Sequence, residues 1–331
     1  MSLPTRISYG FMFLLIVLVG WLHLATPFIT MLFASFALNK LNHAKSKRTA
    51  VGLFLVLVLL TAYLLVFFLN RAYVTLPKIA ATTIPVALEL AEKQGIELPF
   101  SDYDSLKKMA VDAIKEEAAQ VGHFVRIAAV EFVELIIGLV VAVSVFLNSK
   151  FDLGDDQHTV KNNLYSLTGR EIVIRCRCFY ESFATVMGAQ ILISTINTTL
   201  TGIFVLSIGL PYRSVIIAMT FACGLLPIIG NLFSNTLIVG VALTVSPHLA
   251  LAALIFLVVV HKLEYFLNSK IVGDRIKNPM WMTLLGLIIG EKLMGVPGMI
   301  LAPVVLHYVK VEASKNKVTE LPGTDPLKPA A

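Results

Sequence analysis

SVIIAMTFACGLLPIIGNLFSNTLIVGVALT, residues 214–244, is an apolar run of 31 residues broken at its middle by Pro227, Gly230 and Asn231. As one straight helix it would be about 46 Å long. A bilayer's hydrocarbon core is only about 30 Å thick. A second run, residues 280–309 (MWMTLLGLIIGEKLMGVPGMILAPVVLHYV), has the same character, with Gly295, Pro297 and Gly298 near its middle. Proline removes a backbone donor and obstructs the helix. Glycine admits positive φ and close backbone approach. Each run is therefore either a kinked span or a hairpin that leaves and returns on one side.

Charge decides between the two. Placing the N-terminus, 39–50, 148–182, 262–279 and the tail on the cytoplasmic side puts 18 of the 27 basic residues there. The loop 39–50 alone carries Lys40, Lys45, Lys47 and Arg48 with no acid, a strong cytoplasmic signal. Most of the other nine lie in the long segment 70–130, where the rule carries little weight. With 249–267 crossing inward, 214–244 must start and end outside, and 280–309 must start and end inside. Both then read as hairpins, one opening from each side. Opposed hairpins of this kind build midplane sites in secondary transporters. Broken backbone at that depth must face protein, water or substrate, because lipid cannot satisfy it.

Composition agrees. The 331-residue chain is 57% hydrophobic and 15% charged, with a mean hydropathy of +0.81. Soluble domains run near 25% charged. These values exclude most cytoplasmic enzymes, disordered proteins and nucleic-acid binders. The net charge of +6 suits anionic headgroups. The three cysteines, Cys176, Cys178 and Cys223, do not form a disulfide framework. The Cys-x-Cys pair has no further metal ligand at usable spacing, so no metal site is expected.

The chain divides into a membrane hairpin and third span (1–69), an extramembrane helical segment (70–130), a fourth span (131–149), a cytoplasmic amphipathic segment (150–182), a membrane transport core (183–309) and a disordered cytoplasmic tail (310–331). Residues 7–38 are interrupted at Trp21-Leu22-His23 and Pro27, giving two short helical pieces of about 20 Å each. The N-terminal apolar stretch has no small-residue cleavage pattern, so it reads as an uncleaved membrane segment. Pro77, Pro85, Gly95 and Pro99 break the first half of 70–130. From Asp102 to about Leu147 a single long helix is expected. Asp152, Asp155, Asp156 and His158 form an acidic cluster that fits no calcium loop and reads as helix capping. Arg170, Arg175 and Arg177 suit headgroups. The overall expectation is an all-α polytopic protein, including short or re-entrant hairpins, in the inner (plasma) membrane, with both termini cytoplasmic.

Three stretches carry a family resemblance: GLLPIIGN (224–231), HKLEYFLNSKIVG (261–273) and GVPGMILAPV (295–304). Their order and spacing resemble the autoinducer-2 exporter family of membrane transporters. The N-terminal hairpin, the basic loop, the third span and the large segment after it also match. The resemblance implies about eight membrane segments and an oligomeric transporter, with members linked to export of autoinducer-2 and others to sodium/proton exchange. Ser269, where members often have Pro, and Val272, where they have Met, depart from the pattern.

Candidate residues follow from the cost of polar groups in lipid. Glu264 sits at a span end, and intramembrane carboxylates are functional by default; the alternative is a salt bridge with Lys262 or Lys270. Asn231 and Asn235 follow the first break and can coordinate an ion or polar solute, or merely satisfy freed backbone. Asn197 and Thr198 lie in a polar stripe that includes Gln190, Ser194 and Thr201 and faces either the same site or a neighbouring helix. His261 is a candidate proton relay. Pro227, Gly230, Gly295 and Gly298 are the hairpin breaks. Glu291-Lys292, beside the second tip, reads as exposed.

No H-E-x-x-H, G-x-S-x-G or G-x-x-x-x-G-K-[ST] pattern is present, so enzyme, cofactor and ATP-driven readings find no support. The expected function is a gradient-driven secondary transporter that exports a small polar molecule resembling autoinducer-2. Alternatives are a cation/proton antiporter and a non-transporting scaffold. Expected partners are the lipid bilayer, the solute or cation, and further copies of the chain, but no nucleic acid.

Overall fold

The computed structural model describes residues 2–42, 46–93, 121–148, 163–226, 229–272 and 279–315. Among them the chain is helix and turn, without strands. The helices are α1 (Leu3–Trp21), α2 (Ala25–Leu41), α3 (Lys47–Lys93), α4 (Val121–Leu147), α5 (Leu164–Ser207), α6 (Arg213–Gly224), α7 (Ile229–Val245), α8 (Pro247–Val272) and α9 (Met280–Ser314). Six are long and apolar enough to cross a membrane, and α2, α6 and most of α7 are shorter apolar helices. The protein is an all-α polytopic membrane protein.

Ser2 and Pro4 start α1. The Ser2 hydroxyl accepts from the Thr5 N–H at 3.5 Å, and Pro4 sits in the first turn, where its missing donor is harmless. The turn to α2 falls at Leu22–Leu24, with His23 at φ 55°. With 19 and 17 residues, α1 and α2 are about 28 and 25 Å long. They exceed the expected short pieces because both helices continue through their polar flanks. Helix α4 crosses α2 closely: a Cβ on Gly138 would lie 2.6 Å from the Pro27 carbonyl oxygen. Ala34, Leu38, Ala50, Phe54, Ala142 and Phe146 seal this region.

Two helices run through expected segment boundaries. Helix α3 runs 47 residues with Pro77 and Pro85 inside it, so nothing separates the third span from residues 70–93. Packing overrides propensity here. Ile79 is buried with Val205, Ile216, Ile238 and Val241, and the Thr83 methyl lies 2.9 Å from where a Cβ on Gly240 would sit. Likewise α5 runs 44 residues, joining the expected amphipathic segment to the span after it without a break at 182. Asn163 caps α5, its side chain accepting from the Ser166 N–H at 2.9 Å. The acidic cluster 152–158, Gly95, Pro99 and the helix start at Asp102 lie outside the described residues.

Both interrupted runs fold back on themselves. Helices α6 and α7 form an antiparallel pair whose neck is so tight that a Cβ on Gly230 would overlap the Cys223 carbonyl. In α9 the chain reverses at Gly295, at φ 63° and ψ −145°. A Cβ on Gly298 would overlap the Gly290 carbonyl, and one on Gly286 would meet Leu306 at 3.1 Å. Residues 280–294 and 296–314 are thus two arms of a hairpin. Glu291 and Lys292 pair at its tip, 47% and 77% exposed. The second arm stays helical to Ser314, so the expected tail cannot begin at 310.

Two cores organise the molecule. Met12, Leu32, Phe179, Phe183, Met187 and Val304 join α1, α2, α5 and the second arm of α9. Val205, Ile216, Ile238, Val241 and Leu257 join α5 to α8, with Phe204 and Phe256 stacked at 4.1 Å. The middle of α3 faces outward, with Leu59, Val66 and Tyr73 71%, 67% and 82% exposed, as a lipid-facing helix requires.

Candidate ion and solute site at the first hairpin neck

Gln190, Ser194, Asn197 and Thr201 fall at spacings of four, three and four on α5 and share one face. That face meets the end of α6, where the break leaves helix carbonyls without their usual donors. The Leu225 and Leu226 N–H groups donate to Ala222 and Cys223 instead. Ser194 Oγ then donates to the Phe221 carbonyl at 2.9 Å. Gln190 Nε2 donates to the Gly224 carbonyl at 2.6 Å. This part of the stripe repairs the backbone.

Further along the stripe it turns to a carboxylate. Asn197 Nδ2 donates to Glu264 Oε2 at 3.1 Å. Asn231 Nδ2, from the first turn of α7, lies 2.9 and 2.8 Å from Glu264 Oε1 and Oε2. Three helices thus converge on one acid whose side chain is 14% exposed. No lysine or arginine among the described residues pairs with it. Lys262 does not, and the Lys270 side chain is not described. Among the described residues the nearest basic group is His261 Nδ1, 4.0 Å from Oε2 on a ring 71% exposed. That is too long for a hydrogen bond. Among the described residues Glu264 is therefore hydrogen-bonded by neutral donors alone. On the same helix as the Asn197 donor, Asn197 Oδ1 and Thr198 Oγ1 are buried and carry no hydrogen bond among the described residues.

Of the residues singled out from sequence, Glu264, Asn231 and Asn197 come together. Thr198 follows Asn197 on the same helix without bonding to the carboxylate. Asn235 is half-buried one turn on and forms no hydrogen bond among the described residues. Gly230 is the neck, and Pro227 lies outside the described residues.

A second buried charge cluster was not legible. Arg175, read from sequence as a headgroup residue, is buried instead. Its Nη1 donates to Glu312 Oε2 at 2.8 Å and its Nη2 to Glu171 Oε2 at 2.9 Å. Tyr9 Oη donates to Glu312 Oε2 at 2.9 Å, and Lys315 Nζ to Oε1 at 2.8 Å. That bond holds the Lys315 ammonium above its usual range. The cluster ties α1, α5 and the second arm of α9 together. A sequence signal existed only in retrospect: Arg175 and Glu312 each interrupt a helix that is otherwise continuous with an apolar run.

Long apolar helices, two hairpins and a buried carboxylate that no described lysine or arginine neutralises define a polytopic membrane protein built on a transporter plan. The chain belongs to the AI-2E family of transporters: the family model described as "AI-2E family transporter" matches residues 10–314, which bears out the resemblance read from the motifs. A Bacillus subtilis (strain 168) protein named "Putative transport protein YdbI" is 25% identical over 175 residues, 52% of this chain and 50% of that protein. The match thus spans half the length of this curated relative.

Proposed function

We propose that the chain is a gradient-driven secondary transporter whose coupling ion binds at Glu264, and that its cargo is a small polar solute such as an autoinducer-2-like molecule, moved outward. The observation that carries this is the contrast between two buried acids. Glu312 is neutralised by Arg175 and Lys315. Among the described residues Glu264 has only amide donors. A buried charge without a partner is costly, and a cation or proton arriving from solution removes that cost. A scaffold protein has no need of such a group.

Cation/proton exchange is the second reading. The oxygens of Asn197 and Thr198, which carry no hydrogen bond among the described residues, favour it, since hard cations are held by oxygen ligands. In either case the chain sits in the plasma membrane with both termini cytoplasmic and works as a homo-oligomer. The test is flux in proteoliposomes under imposed proton or sodium gradients, screened over several polar solutes and over cations alone. Solute flux that follows a gradient supports export, and cation-for-proton exchange without solute supports the second reading. If no gradient moves any solute or cation, both readings fall.

A further inference from the structure

A cavity of about 870 Å³ lies between α1, α2, α4 and α5, at the start of α3. It is separate from the Glu264 site: its nearest lining residue on α5, Glu181, is sixteen residues from Asn197, or about 24 Å along the helix. The walls change character along α2. Phe28 and Leu32, with Phe11, Leu15 and Phe179, make one end apolar. Asn39, Asn42 and Lys47 make the other end polar and basic; Arg177, on the α5 face of Tyr180 whose hydroxyl accepts from Asn39 at 2.8 Å, adds a second cation, and Glu181 is the one acid among the described lining residues. Lys47 is held at that rim by the Phe146 and Leu147 carbonyls, each at 3.1 Å. Lys40 and Arg48 flank it in a loop without acids.

We infer that this cavity holds one anionic phospholipid, its acyl chain against Phe28 and Leu32 and its phosphate at Lys47 and Arg177. From Phe28 to Asn42 the helix rises about 21 Å, more than the ~15 Å that one leaflet contributes to the hydrocarbon core. An acyl chain therefore fits lengthwise. A polar solute gains nothing from the apolar end. A partner helix 10–12 Å across would need about twice the volume over that length. The volume itself lies in the range of ordinary ligand pockets, roughly 300–1,000 Å³. The polarity runs in the direction a lipid requires, with the cations at the end where the basic loop meets the headgroups. Arg177 therefore serves as a ligand for one lipid, a narrower role than general attraction to a surface.

Native mass spectrometry of the detergent-purified protein tests this with palmitoyl-oleoyl phosphatidylglycerol and phosphatidylcholine in equal amounts. The wild type should retain one phosphatidylglycerol per chain in preference to phosphatidylcholine. Arg177→Gln should lower that preference about fivefold, the factor one cation beside an anionic headgroup carries. Ser35→Phe, which fills the middle of the cavity, should reduce retention of both lipids. Phosphatidylglycerol with a photoreactive acyl chain should label residues 11–15, 28–35 or 179, a readout that does not depend on either variant folding well. Equal retention of the two lipids with no effect of Arg177→Gln, labelling confined to other segments, or a lipid-free oligomer that buries this face would each overturn the assignment.

Discussion

Replacing Glu264 with Gln removes a unit charge and keeps the length of the side chain. The cost has two separable parts. The carboxylate accepts at 3.1 Å from Asn197 and at 2.9 and 2.8 Å from Asn231. Glutamine offers one oxygen and turns an NH2 toward a donor, so one amide loses its acceptor, at about 1–3 kcal/mol of stability. The second part concerns only a bound cation. At about 4 Å and an effective dielectric near 20, the lost attraction is about 4 kcal/mol, or roughly three decades in affinity. Flux in proteoliposomes, plotted against sodium or proton concentration at matched amounts of folded protein, separates the two. Glu264→Gln should push half-saturation up roughly a thousandfold, beyond the accessible range. Asn231→Leu should lower stability and shift half-saturation the opposite way, to lower concentration, because a carboxylate deprived of its donors takes up a cation or proton more readily. Glu264→Gln with Asn231→Asp returns a carboxylate beside an amide and should recover part of the gradient dependence. A Glu264→Gln variant whose half-saturation is unchanged would refute the reasoning, because then the charge takes no part in coupling.

Gly230→Val and Gly298→Val each place a side chain into a backbone carbonyl at a hairpin neck; transport should be lost while membrane insertion and yield persist, and wild-type flux in both variants would reduce the hairpins to packing. Glu312→Gln leaves Arg175 with Glu171 alone and should cost about 3 kcal/mol of stability against denaturant in detergent, whereas Arg175→Met with Glu312→Met should be near neutral; a loss under about 1 kcal/mol in the single variant contradicts the buried-pair account. Cysteines placed at Ala44 and Ser314 should react only from the cytoplasmic side and one at Lys93 only from outside; labelling of Lys93 from the cytoplasm overturns the proposed orientation.

Sequence alone determined that this chain lives in a membrane, that its spans are helical, and that residues 214–244 and 280–309 turn back. Those conclusions rest on hydropathy, helix length and charge count, which are sums over many residues and tolerate local error. It also brought Glu264, Asn231 and Asn197 into consideration, because an unneeded polar group in lipid is expensive wherever it sits. It misjudged Pro77 and Pro85, local breakers that packing on Gly240 and in the α5–α8 core overrides, and it did not show that one helix runs through the polar-to-apolar change at 182. Only the tertiary structure decided which acid is neutralised. Arg175 meets Glu312 across 137 residues, a pairing no periodicity encodes, while Glu264 meets amides and no described lysine or arginine. Whether a buried carboxylate is a strut or a site depends on what lies within 3 Å of it, and chain folding alone brings those neighbours there.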